Sequence, residues 1–209
     1  MKPAEEFLAS IARRRVANAA ISASLPHNRP DVTLPPELMQ AADNCWQICP
    51  VLAHSNYFSR QALVGGPTSD PAQICQWAQE YRGYSWAVAT GAGSALLILE
   101  VDVVIGRTAL KFLCGDDWTW RNTLQFQDRD TRFVCFRYSG QKVRALGSGF
   151  AGLLIHSIDF VLIPPSVYAY GVALSYLDPD ARVLDAPEWL LAAPRDSVDT
   201  LRCDDTVAA

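Results

Sequence analysis

The sequence has 209 residues, of which 50% are hydrophobic and 10% aromatic, with a formal net charge of −4 and a pI near 5.3. This length and composition fit one domain with tails and exclude a mostly disordered chain. Nucleic-acid binders usually carry a basic surface, so any such binding by this acidic chain must come from a local patch.

From the visible sequence we expect no signal for export or for crossing a membrane. Its first residues include acids where a secretion signal is basic, and the apolar run 95–105 is interrupted by Glu100 and Asp102. The six cysteines do not have zinc-site spacing, so free, buried thiols are the expected state. We therefore expect a cytoplasmic protein with no membrane association.

The N-terminal part is predicted to lie outside the main domain. Residues 4–23 place apolar side chains at near-helical spacing and are predicted to form a helix. Four prolines then predict an extended linker over residues 24–37. The globular body is therefore expected to begin near Leu38.

The body begins with a strand and a helix. Residues 47–52 are apolar enough for a short strand. Thr68-Ser69-Asp70-Pro71 supplies a cap and an N-terminal proline for the next helix, and Ile74 and Trp77 mark its buried stripe.

Strands dominate the rest of the chain, and a glycine-rich turn separates the first two. The further predicted elements are strands over 86–90 and 95–105, a helix over 108–113, a hairpin of 123–126 with 132–138, strands over 152–156 and 159–163, and a short helix over 186–191. Pro164-Pro165 ends the last strand.

Helices that precede antiparallel strands predict the α/β (α+β) class, with a mixed sheet flanked by helices and an N-terminal helical extension. The expected division is an N-terminal helix and Pro-rich linker (1–37), a folded domain (38–192) and an acidic C-terminal tail (193–209).

Several sequence motifs between residues 45 and 191 occur in an order that can be compared with that of known families. They are Thr68-Ser69-Asp70, the Thr90-Gly91 turn that leads into the acidic strand 97–102, and the strand 160–163 with Pro164-Pro165-Ser166. Together they resemble the N-terminal domain of bifunctional DNA primase-polymerases. The resemblance implies a primase-polymerase fold and template-directed nucleotidyl transfer in DNA replication.

Glu100 and Asp102 stand where the resemblance implies catalytic, metal-binding carboxylates. Such enzymes use two divalent ions, Mg²⁺ or Mn²⁺, held through oxygen atoms. Side chains two apart on a strand share a face, with about 6.5–7 Å between Cα atoms, so the two carboxylates can converge on one ion. The alternative is a solvated pair of acids at the sheet end, or a pair balanced by Arg107.

The second motif of the family departs from its pattern here. Where the family has two glycines and a histidine that cradle phosphates, this sequence has Asp130, Thr131 and Phe133. An aspartate repels phosphate, and phenylalanine offers neither a donor nor a charge.

The third motif departs as well. Leu154 stands where the family has a third carboxylate, and His156 where it has an arginine. Leucine cannot bind a metal. His156 could join Glu100 and Asp102 in a rearranged site, and the alternative is a structural or surface histidine.

Residues 128–144 carry five positive and two negative charges, a net of +3. This segment is either a nucleic-acid or phosphate surface or an ordinary solvated hairpin. The candidate nucleic-acid-binding residues are Arg129, Arg132, Arg137, Lys142 and Arg144.

The sequence thus predicts a DNA primase/polymerase-like protein, related to replication, whose nucleotidyl transfer is impaired. The alternatives are a non-catalytic module that binds nucleic acid or protein, and a full enzyme with unorthodox helpers. The expected cofactor is Mg²⁺ or Mn²⁺ if the protein is active and none otherwise. Expected partners are DNA and nucleotides, bound weakly, and a protein partner in replication or a mobile element.

Overall fold

The computed structural model describes residues 34–51, 63–146, 150–168 and 171–191. The helix predicted over residues 4–23, the first part of the linker and the acidic tail lie outside them. Within the described residues the α+β class is confirmed, because helices flank predominantly antiparallel sheets. None of the helices described is long and apolar enough to cross a membrane.

The helices are α1 (Pro36–Asp43), α2 (Pro71–Glu80) and α3 (Gly106–Cys114), with 3₁₀ turns at Thr119–Asn122 and Glu188–Leu190. Helix α2 begins as predicted, because an Asp70 carboxylate oxygen accepts a hydrogen bond from the Ala72 N–H at 2.9 Å. Helix α1 was not predicted. It begins at Pro36, inside the stretch assigned to the linker, because proline suits the first turn of a helix as well as an extended chain.

The strands are β1 (Ile48–Val51), β2 (Ser85–Ala89), β3 (Leu96–Asp102), β4 (Gln125–Gln127), β5 (Thr131–Arg137), β6 (Leu153–His156), β7 (Phe160–Ile163), β8 (Ser175–Tyr176) and β9 (Leu184–Asp185). They divide between two sheets, where one was expected. The first has the order β1-β2-β7, and the second has the order β6-β3-β5-β4-β8, with β9 parallel to β5.

The division arises between β6 and β7, which are close in sequence but belong to different sheets. The Thr90 hydroxyl accepts a hydrogen bond from the Asp159 N–H at 2.9 Å and donates one to the Asp159 carbonyl oxygen at 2.9 Å. These bonds hold the start of β7 beside the end of β2. The chain therefore leaves the larger sheet directly after β6.

Two hydrophobic clusters lie on opposite faces of the larger sheet. The first fills the space between the two sheets and beneath α1 and α2, and Leu96 and Ile98 contribute to it from β3. The second packs α3 against the outer face of the larger sheet, through Leu97, Leu99 and Val101 of the same strand. Strand β3 is therefore buried on both faces, which explains its nearly continuous apolar sequence.

Strand β3 is central, as predicted, but it ends at Asp102 and does not reach residue 105. One Asp102 carboxylate oxygen accepts hydrogen bonds from the backbone N–H groups of Val104 and Ile105, at 2.8 and 2.9 Å. These bonds turn the chain out of the sheet and into α3.

The cysteine prediction is confirmed for Cys49, Cys114 and Cys135, which are buried free thiols. Burial raises the pKa of Cys49 to about 12 and also raises the pKa of Cys114 and Cys135. These thiols remain protonated near neutral pH, so they are unsuited to metal binding or nucleophilic chemistry.

Candidate active site

Glu100 and Asp102 lie at the end of β3, on the face that the larger sheet turns toward the smaller one. The alternation of side chains places them in line with Leu96 and Ile98, which are completely buried in the inter-sheet core. Burial decreases along this face toward the end of the strand, and a third of the Glu100 side chain is exposed. The two acids therefore mark the point where the core reaches solvent.

The register of the larger sheet places the three motif positions in one row. Glu100 lies directly opposite Leu154 on β6 and directly opposite Phe133 on β5. The order of the motifs predicts the position of Leu154 opposite Glu100, and neighbours in an antiparallel pair project from the same face. Of the three side chains in this row, only Glu100 can carry a charge.

Phe133 continues the row as part of an aromatic cluster. It is buried and stacks on Phe126, with ring centroids 4.8 Å apart and planes 13° apart. Phe126 in turn meets the edge of Tyr176 at 6.0 Å. Burial raises the pKa of Tyr176, so its hydroxyl stays neutral. On the β5 side, the neighbourhood of Glu100 is filled by apolar packing.

His156 approaches Glu100 from β6. Its Nε2 atom lies 2.8 Å from a Glu100 carboxylate oxygen, and its Nδ1 atom lies 3.7 Å from a carboxylate oxygen of Asp159. The imidazole is largely buried, with 13% of the side chain exposed. The structure thus brings His156 to Glu100, as the rearranged-site hypothesis requires. Because His156 and Leu154 are two apart on β6, alternation alone could have indicated their shared face.

Asp102 serves a different set of contacts. One of its oxygens is engaged by the two backbone N–H groups that begin the turn toward α3. Among the residues that the structure describes, no group of three or more His, Cys, Asp or Glu side chains could hold a metal ion. Glu100 and Asp102 share a face, but each has a carboxylate oxygen committed to a protein donor.

The order of these elements and the acidic strand at the centre of the sheet agree with a known protein family. The family model described as bifunctional DNA primase/polymerase, N-terminal, matches residues 38–189. The chain belongs to this family. The resemblance inferred from the sequence motifs is therefore confirmed. A comparison with curated proteins found no match.

In this primase-polymerase domain, the five candidate nucleic-acid-binding residues do not form one patch. Arg132 and Arg137 are five positions apart on β5, about 17 Å along the strand, and an odd separation places them on opposite faces. Arg137 contacts the Asp185 carboxylate at 3.3 Å and donates to the Val183 carbonyl at 3.0 Å. The remaining three, Arg129, Lys142 and Arg144, are exposed.

The outer face of the larger sheet has a feature that the sequence motifs did not indicate. A cavity of about 710 Å³ lies there between α3 and the ends of β3 and β5, and its lining includes Arg107, Lys111, Arg121 and Arg132. Of these, only Arg132 was a candidate. Arg107 and Lys111 are four apart on α3 and so share one face of the helix, which is the signal that the sequence offered.

Proposed function

We propose that this chain is a DNA primase/polymerase-like domain that acts in DNA replication and whose nucleotidyl transfer is impaired. The proposal includes a cytoplasmic location and a protein partner in replication or in a mobile element. It assigns Glu100 and Asp102 as the remnant of the catalytic carboxylates.

The observation that carries this proposal is the row formed by Leu154, Glu100 and Phe133. A two-metal centre needs several oxygen ligands for each ion and depends on carboxylates that converge. The two positions beside Glu100 supply no oxygen and no charge. Instead, one oxygen of Glu100 faces His156 and one oxygen of Asp102 accepts two backbone hydrogen bonds. These residues do not fit paired Mg²⁺ or Mn²⁺ ions.

The contacts of Glu100 can also be explained by a role in stabilising the fold. A carboxylate beside aromatic packing needs a partner, because desolvation penalises an unpaired charge. His156 supplies that partner at 2.8 Å, and the pair closes the open end of the inter-sheet core. In this reading, Glu100 and His156 maintain the fold at the position where relatives carry out chemistry.

The alternative is a non-catalytic module that binds nucleic acid or protein, and one observation favours nucleic acid. Of the described residues, four basic side chains and no acidic one line the cavity on the outer face of the larger sheet. This alternative is compatible with impaired nucleotidyl transfer, because the cavity and the acidic strand end lie on opposite faces.

A full enzyme with unorthodox helpers is the third hypothesis. It would use His156 beside Glu100 as a replacement for a lost motif residue. In that case, extension of a primer would depend on Glu100, Asp102 and His156 together.

Template-directed primer extension tests the proposal. With deoxynucleotides and either Mg²⁺ or Mn²⁺, the purified protein is expected to give no extended product under conditions in which an active polymerase does. The reason is that removal of even one electrostatic element of an active site costs on the order of 10²–10³ in rate, and two positions are apolar here.

Variants test whether any extended primer is produced by the site that contains Glu100 and Asp102. Extension that is lost in both Glu100→Ala and Asp102→Ala, and retained in Asp116→Ala, would contradict the proposal. Asp116 is a matched control because its carboxylate is exposed and lies at the far end of α3. Loss in His156→Ala as well would favour the third hypothesis.

A further inference from the structure

The cavity on the outer face of the larger sheet has the charge of an anion-binding site. Its basic side chains come from three elements: Arg107 and Lys111 from α3, Arg121 from the 3₁₀ turn, and Arg132 from β5. Among the residues that the structure describes, no acidic one lines it. Within the described ranges, none of the four forms an ion pair. Four like charges around one cavity repel each other, and an anion would relieve that repulsion.

Two acidic side chains that are close in sequence to the lining residues, Asp102 and Asp117, are engaged by other donors. Asp102 faces backbone N–H groups through the oxygen described above. Asp117 accepts hydrogen bonds from Thr119 and from the indole Nε1–H of Trp189, and these donors lower the pKa of Asp117. In addition, the Nε atom of Arg132 is buried and has no hydrogen-bond partner in the described structure. A buried donor of this kind requires an acceptor.

An aromatic surface adjoins the basic side chains. Trp118 and Trp120 both line the cavity, with ring centroids 6.5 Å apart. The guanidinium carbon of Arg121 lies 4.3 Å from the centre of the Trp118 ring, which fixes both side chains through a cation–π contact. Even so, 42% of Trp118 remains exposed, so a planar ring can reach it.

A second cavity, of about 600 Å³, adjoins the first and shares Arg121 and Arg132 with it. Its lining is mostly polar and includes Asn122 and Gln125, together with the carboxylate of Asp178. Arg121 and Arg132 thus stand between two successive spaces. This arrangement suits a ligand with repeating units better than a single small anion.

The two adjoining cavities together form a groove. We propose that this groove binds single-stranded nucleic acid, with one base stacked on Trp118 and the adjoining phosphates held by Arg107, Lys111, Arg121 and Arg132. Basic side chains that follow a backbone and an aromatic ring that stacks on a base are the two components of single-strand binding. The groove lies on the opposite face from Glu100 and Asp102. It therefore does not rest on whether nucleotidyl transfer survives.

Binding is measured by fluorescence anisotropy, with a labelled oligothymidylate of about 10 nucleotides, at low salt. Trp118→Ala is expected to weaken binding about 5- to 150-fold, which corresponds to the loss of one stacked base. The double variant Arg107→Ala/Lys111→Ala is expected to weaken it further and to flatten the slope of log affinity against log salt by about 1.4, because two phosphate contacts are lost.

The control is Arg82→Ala, which removes an exposed arginine that lines neither cavity of the groove. It should change affinity by less than about threefold. A loss in Arg82→Ala equal to that in Arg107→Ala/Lys111→Ala, an unchanged affinity in Trp118→Ala, or no binding by the wild type would each overturn the proposal. Competition by inorganic polyphosphate equal to that by the oligonucleotide would overturn the base contact, and equal competition by dTMP would overturn the assignment to a strand.

Discussion

Replacement of Phe126 by alanine is expected to lower the free energy of unfolding by about 3–5 kcal/mol, as is typical of a buried aromatic side chain. Phe126 is completely buried between the two sheets, stacks on Phe133 and meets the edge of Tyr176. Its removal leaves a cavity beside the rings of Phe133 and Tyr176. Urea denaturation followed by circular dichroism gives the measurement.

Phe112→Ala is the matched control, because the same atoms are removed from a side chain that is 82% exposed. We expect a change within about 0.5 kcal/mol there. Equal losses in the two variants would mean that the aromatic cluster beside Glu100 is not part of the core and that this face of the sheet is not filled.

A substitution of Gly91 by alanine is expected to lower the free energy of unfolding by about 2–5 kcal/mol. Gly91 has φ of +88°, where a side chain costs conformational energy, and an added Cβ atom would collide with the carbonyl oxygen of Ser157. That carbonyl cannot withdraw easily, because Thr90 holds Asp159, two residues further along the chain, through backbone and side-chain hydrogen bonds.

Gly83→Ala separates the conformational cost of a positive φ from the cost of the collision with the Ser157 carbonyl oxygen. Gly83 has a similar φ of +81°, but nothing lies within 4 Å of an added Cβ atom. It should cost only about 1–2 kcal/mol, the conformational part. If Gly91→Ala costs no more than Gly83→Ala in urea denaturation, the close approach of the turn to the loop after His156 is not rigid.

The expected cost of Gly91→Ala gives a physical reason for the Thr90-Gly91 turn in this sequence. The turn forms the contact between the end of β2 and the loop that joins β6 to β7. That loop begins beside His156, whose imidazole contacts Glu100. A motif shared with the primase-polymerase family thus positions the strand end that carries the candidate site.

The sequence predicted the local elements well, because their signals are local. The cap of α2 at Asp70 and the alternation along β3 depend on neighbours in the chain, and both are confirmed. The opposition of Leu154 and Glu100 followed from motif order. By contrast, Pro36 fitted a linker and a helix equally well, so α1 was missed.

Features that depend on distant segments could not be predicted in the same way. The separation of β6 from β7 depends on hydrogen bonds to Thr90, which is 69 residues from Asp159. The basic groove needs α3, the 3₁₀ turn and β5 to meet, and no local pattern links Arg107 with Arg132. The net charge of +3 over residues 128–144 groups basic residues that are neighbours in sequence. In the structure, the alternation of side chains along β5 places Arg132 and Arg137 on opposite faces of the sheet.

We expect that Glu100 and Asp102 do not together hold paired divalent ions. Calorimetric titration of the wild type with Mn²⁺ tests this claim without any assay of activity, and the double variant Glu100→Ala/Asp102→Ala is the reference. The same weak heats are expected for both proteins, since Leu154 and Phe133 add no ligand to the row. Saturable binding of two ions per chain by the wild type, lost in the double variant, would contradict it.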